Sequence, residues 1–184
     1  EPGAYQALPG GSLAGTMVTV AFDGGIQESW PMGFSGATAL DFSAADFDDT
    51  CRLYLDVLED LWEVDGGLNE NIAELGVDLS QTRLSESEQS AVAYVFGTAH
   101  SLMAMEGTYQ DFVDQGYIDG ENFLWEDGCL FSIKESDEPV IFNEADMGSM
   151  TTGSVHEGIR FDAEKWRSGL GAYFFMDCTA GRAA

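Results

Sequence analysis

His156 beside Glu157 sets an imidazole, able to act as a base near neutral pH, next to a carboxylate. Both lie in 143–158, a polar run with glycine and methionine but neither helical nor strand period. Loops of that length inside a compact domain are often functional. His156 and Glu157 are therefore the candidate catalytic residues, suited to a small hydrolase or lyase working through a carboxylate and histidine. The other histidine, His100, has no Glu or His four residues away, so the H-E-x-x-H zinc pattern is absent. Its alanine, serine and leucine neighbours predict a packed residue hydrogen-bonded to a neighbour. Gly33-Phe34-Ser35-Gly36 lacks the spacing of a nucleophile elbow, which removes Ser35 as a nucleophile.

Asp46, Asp48 and Asp49 are the candidate metal ligands, but acids at the start of a helix also complement its dipole without any ion. The calcium-loop pattern fails at 65–76, where Gly67 occupies a ligand position, and again at 119–122. No cofactor is expected, with calcium the one cation the carboxylates could take outside that motif. Cys51, Cys129 and Cys178 fit no zinc spacing and allow one disulfide, for which Cys129 and Cys178 are the pair, or three buried thiols. Trp30 and Trp125 flank turns and are the candidate contact residues for a binding partner. No phosphate-binding loop, dinucleotide glycine signature or solenoid repeat is present.

The chain has 33 acidic residues against 7 basic ones, a net charge of -26, with 45% hydrophobic and 12% aromatic residues. The apolar content is enough for a real core, so this is not a disordered acidic tail. Unpaired acids repel one another and call for screening or neutralisation. Salt adaptation, divalent cations outside the cell, a basic partner, or a solvated surface would each supply it. The sharpest form of the third is an inhibitor or immunity-type protein that presents carboxylates in imitation of DNA. Direct binding to nucleic acid is the partnership this charge opposes. The loop-like opening from Glu1-Pro2-Gly3 to Gly15 resembles a mature end after signal cleavage, so a periplasmic or secreted setting is expected.

The elements that must position these groups begin with a flexible lead-in at 1–15. A strand at 17–22 turns at Asp23-Gly24 into a second at 26–30. An amphipathic helix follows from Ser43 and closes at Gly66-Gly67, then a short helix at 68–75. The central helix is predicted over 85–113. Its start is a capping box, Ser85 with Glu88, and Val92, Val95, Phe96, Ala99, Leu102 and Met103 share one arc. Its run of apolar residues is too short and too interrupted for a membrane span. Strands are predicted at 123–125, 129–133, 139–142, 158–161 and 171–178, with a turn or short helix at 162–168 and a frayed tail at 179–184.

Helices followed by strands predict an α+β fold with one domain over 16–178. In it a central buried helix and amphipathic helices pack on an antiparallel sheet formed by the N-terminal hairpin and the C-terminal strands. The function expected is a secreted or periplasmic acidic binding or assembly domain without catalytic activity. Its partner would be a protein, a basic one or a second copy.

Overall fold

The computed structural model describes residues 18–29, 33–41, 49–138, 140–143 and 155–181. The predicted lead-in at 1–15 lies outside them. The chain falls into two compact units, Glu1–Leu53 and Tyr54–Ala184.

In the first unit, β1 (Thr19–Phe22) pairs antiparallel with β4 (Ala37–Asp41), and β2 (Ile26–Gln27) with β3 (Gly33–Phe34). The expected hairpin between the first two strands does not form. Asp23 N–H donates to Gly36 O at 3.0 Å and the Ser35 hydroxyl accepts from Gly25 N–H at 3.2 Å. Asp23-Gly24 is thus one side of a bend that carries both chain directions past each other, with β2–β3 nested beyond β1–β4.

Helix α1 (Asp49–Glu63) leads into the second unit, and its Tyr54, Leu58 and Leu61 are fully buried. A 3-10 turn (Gly66–Leu68) follows, then β5 (Glu74–Gln81), α2 (Glu86–Ala99), β6 (Ala104–Glu106), α3 (Tyr109–Asp114), β7 (Gly128–Glu135), β8 (Val140–Asn143), β9 (Val155–Ser168) and β10 (Gly171–Gly181). The sheet order is β10-β9-β7-β5-β6, with β8 beside the first part of β9. The fold is α+β with helices packed against a sheet, as expected. The sheet itself is mixed, not antiparallel: β5 runs parallel to both β6 and β7, and the N-terminal strands form two-stranded sheets of their own.

Two departures from the sequence reading explain the parallel pairs. Residues 74–81 form a strand rather than the end of a short helix, because Leu75, Val77 and Leu79 alternate with Gly76, Asp78 and Ser80 and are all buried. The central helix keeps its capping box at Ser85 and Glu88 but stops at Ala99. There the chain folds back over Gly97, whose carbonyl accepts from His100 and Leu102 N–H, while Ser101 takes φ 60°. A Cβ at Gly97 would stand 2.8 Å from Ala104 N and Leu102 O, so only glycine permits the reversal. The apolar arc read past residue 99 belongs to β6 and α3.

Alternation along the strands gives the sheet two different faces. Leu75, Val77, Cys129, Phe131, Ile133, Phe161 and Ala163 are buried on the side of α1 and α2. There Trp62 stacks on Phe131 at 5.8 Å, Phe96 meets Phe131 edge-on at 5.1 Å, and Tyr54 meets Phe161 at 6.0 Å. Each such ring or aliphatic chain contributes roughly 1.5–3 kcal/mol by leaving water. The opposite face is covered only in part, by Phe112, Ile118 and Trp125 over Leu130. Gly76 admits this cover, since a Cβ there would reach the Trp125 ring at 2.9 Å.

The remaining differences lie at the C-terminal end. Residues 123–125 make isolated bridges rather than a strand, 162–168 continue β9 rather than turning, and β10 extends to Gly181 opposite Gly158 where a frayed tail was expected. Among the described residues no helix is long and apolar enough to cross a membrane.

Candidate functional site

The uncovered part of the second sheet face forms a cleft of about 460 Å³. Strand register lays out its floor. One row runs Asp78, Ser132, Glu164, Phe174 across β5, β7, β9 and β10, and the neighbouring row runs Gln81, Lys134, Asp162. Trp166 and Tyr109 meet edge-on at 5.1 Å at one end, while Phe174 and Met176 line the side toward β10. The cleft is thus three carboxylates and a lysine set among aromatic rings and a thioether.

The carboxylates differ in how they are held. Asp78 accepts from its own strand, from Ser80 N–H at 3.0 Å and the Ser80 hydroxyl at 2.6 Å. Asp162 accepts from Asp177 N–H at 2.7 Å, where β10 bulges and Asp177 takes φ 55°. Glu164 is half-buried and has no hydrogen-bond or ion-pair partner among the described residues. Burial alone raises its pKa above the usual carboxylate range. The Tyr109 hydroxyl, also lining the cleft, is buried without a partner among the described residues. Buried polar groups are normally satisfied, so the unsatisfied Tyr109 hydroxyl, in the same cleft as a half-buried carboxyl with no partner among the described residues, marks this as a place where something binds.

Cations elsewhere in this unit serve the backbone or lie outside the cleft. Lys165 is fully buried and donates to the carbonyls of Val64 and Asp65 at the end of α1 and to Asn69 Oδ1 at 2.7 Å. Burial holds its ammonium below the ordinary lysine pKa, a shift that Cys129 and Asp65 oppose. Arg167 donates to the carbonyls of Leu68, Glu70 and Glu126. Arg83 pairs with Glu135 at 2.7 Å, and Tyr54 donates its phenol to the same carboxylate. Burial raises the Tyr54 phenol above its usual value, and the Glu135 charge adds to the shift. For Glu135 burial acts upward, but hydrogen bonds from Tyr54 and Arg83 together hold it below the usual range.

The sequence-predicted site residues do not converge. His156 and Glu157 lie in β9, opposite Phe142 and Ile141, so they belong to a strand and not to the expected loop, whose residues 144–154 lie outside the described ones. Asp49 is the first residue of α1, while Asp46, Asp48 and Trp30 are outside the described residues. Trp125 is fully buried and donates Nε1–H to Glu74 at 2.6 Å, so it packs the core and does not present a contact surface. His100 is a packed residue as expected, 2.9 Å from Glu59 Oε2 and stacked 3.7 Å from Trp62.

Among the described residues no group of three His, Cys, Asp or Glu side chains could hold a metal ion. Asp119 turns its carboxylate onto Glu121 and Asn122 N–H of its own loop. None of the three cysteines is in a disulfide, and burial pushes the Cys129 thiol up to about 12, which makes it inert at neutral pH. Sequence reasoning missed Asp78, Asp162 and Glu164. The signal was the alternation Phe161, Ala163, Lys165 against Asp162, Glu164, Trp166, hidden because a buried lysine breaks the apolar side. Set against family models, curated proteins and solved structures, the chain matches none of them.

Proposed function

We propose that this protein is a non-catalytic binding domain whose open sheet face takes a basic segment of a partner protein. The observation that carries this reading is Glu164, a half-buried carboxyl with no partner among the described residues, set in a row with Asp78 and Phe174. A lysine or arginine entering the cleft would neutralise that carboxyl, and its aliphatic stem would lie on Trp166, Phe174 and Met176. The net charge of -26 would draw such a segment in from a distance.

The test is fluorescence anisotropy with a short lysine-rich peptide at physiological salt. Glu164→Gln with Asp78→Asn should weaken binding about tenfold, while Asp60→Asn with Glu63→Gln, the same change of charge on α1, should weaken it no more than about twofold. Equal effects of the two double variants would mean that the cleft is not the site. A nucleic-acid-binding protein is one source of basic segment, and competition with DNA for that protein would identify it.

A second reading rests on the same carboxyl: a raised pKa in a cleft also suits a general acid, which would make the protein a small carboxylate-dependent hydrolase. It requires a hydrolytic activity that Glu164→Gln abolishes.

A further inference from the structure

We infer that the basic segment docks as an added strand on the outer edge of β10, and that the backbone of this edge fixes which of its side chains enter the cleft. This rests on the reading of the cleft as a site for basic side chains. β10 ends the six-stranded order, and among the described residues no strand pairs with its outer side. The opposite edge, β6, has three residues and offers little to pair with.

The direction of the free backbone groups follows from the ladder. Ser136 N–H donates to Arg160 O at 2.9 Å, so this pair is a hydrogen-bonded one. Such pairs recur at every second residue of an unbroken antiparallel register, and the register from Glu135–Phe161 to Leu130–Trp166 is unbroken. Even-numbered residues of β9 therefore turn their backbone toward β7, and Ala163 and Lys165 turn theirs toward β10. Phe175 and Tyr173, their partners, pair inward. Ala172 and Phe174 are left with N–H and C=O pointing out from the edge, the arrangement an incoming strand takes up.

The side chains agree with this. Phe174 is half-exposed and continues the row of Asp78, Ser132 and Glu164 on the cleft face. A strand residue added beside Phe174 faces the same way and lies two strand steps, about 10 Å, from Glu164. A lysine or arginine there would lay its stem over the Phe174 ring and carry its charge toward the carboxyl. The register shift between Phe175 and Cys178, pinned by Asp177 N–H on Asp162, bends the strand and confines pairing to its first half. A second copy of this chain is the wrong occupant on charge, since each copy carries -26.

The experiment compares a seven-residue peptide in which lysine alternates with valine or threonine against the same peptide N-methylated at its lysines, which keeps the charge and removes the pairing donors. The methylated peptide should bind about tenfold more weakly. Ala172→Pro, which removes one outward N–H at a position where an edge strand tolerates proline, should weaken the parent peptide similarly without moving the thermal midpoint. Should that variant fail to fold, the peptide pair alone decides. Equal binding of both peptides, with Glu164→Gln still weakening them, would overturn edge docking and leave the cleft reading intact. No binding of either peptide would overturn both. A dimer of the protein alone that Ala172→Pro dissolves would give the edge to a second copy and overturn the proposal.

Discussion

Glu164 stands directly opposite Ser132 where β9 pairs with β7 and opposite Phe174 where it pairs with β10, and this register puts a half-buried carboxyl at the middle of the cleft floor between a small hydroxyl residue and an aromatic ring. Its raised pKa has consequences of opposite sign for binding and stability. Binding of a lysine-rich peptide needs the ionised form, so affinity should fall as pH drops through this raised value, above the usual Glu range of about 4.3. Glu164→Gln should remove that part of the pH dependence, which a titration of affinity between pH 7.5 and pH 4.5 would read.

For stability, a folded pKa above the unfolded one means a contribution present below about pH 4.3 and lost as pH rises through the folded value. Glu164→Gln should therefore stabilise the protein at neutral pH, with the gain shrinking toward pH 4. Thermal unfolding of the two proteins across that range checks it.

Glu135 behaves in the reverse way. Hydrogen bonds from Tyr54 and Arg83 hold its folded pKa low, so its contribution is present above about pH 4.3 and lost as pH falls through the folded value. Tyr54→Phe should cost about 1.5–3 kcal/mol at neutral pH, the range for a hydrogen bond to a charged group, and less at pH 3. Urea unfolding at both pH values would show whether the loss is confined to the ionised form.

Lys165 holds the end of α1 by satisfying two backbone carbonyls and Asn69. Lys165→Met would leave the Val64 carbonyl and the buried Asn69 Oδ1 without this donor, while Asp65 O keeps Leu68 N–H, a loss of about 2–4 kcal/mol. Lys165→Arg should not rescue it, because a planar guanidinium cannot replace a compact ammonium in a fully buried position. Denaturant midpoints of both variants give the comparison.

The surplus of acids should respond to ionic strength rather than to a particular ion. Monovalent salt should raise the thermal midpoint by screening, and millimolar calcium at fixed ionic strength should add little beyond it. A calcium-specific rise of many degrees would instead reveal a cation site, since a ligand that binds only the folded state stabilises it by mass action.

The sequence made some of these features legible and concealed others. The capping box at Ser85 and Glu88 could be read locally, because it depends on neighbours within a few residues, and the apolar surroundings of His100 in the chain pointed to a packed residue although its partners, Glu59 and Trp62, come from α1. The strand around Cys129 to Ile133 and the last strand were likewise plain from composition. The end of α2 was not, since it depends on Ala104 and Leu102 folding back onto Gly97, a contact no period reveals. β5 is concealed because Leu68, Ile72 and Leu75 also fit helical spacing, which masks the alternation of Leu75, Val77 and Leu79. With β5 and β6 hidden, the parallel pairs could not be anticipated. The cleft depends on them: Asp78 and Glu164 are 86 positions apart in the chain by their numbers, and only the order β5-β7-β9 brings them into one row.

In the proposed complex the basic segment lies on the open face of the mixed sheet. The most direct measurement is a titration of the isotope-labelled protein with the lysine-alternating peptide, followed through its backbone amide NMR signals. The largest shifts should fall on Ser132, Glu164 and the 172–175 stretch of β10. Shifts concentrated on the acidic outer side of α1, or in the strands of the first unit, with the cleft residues unmoved, would contradict it.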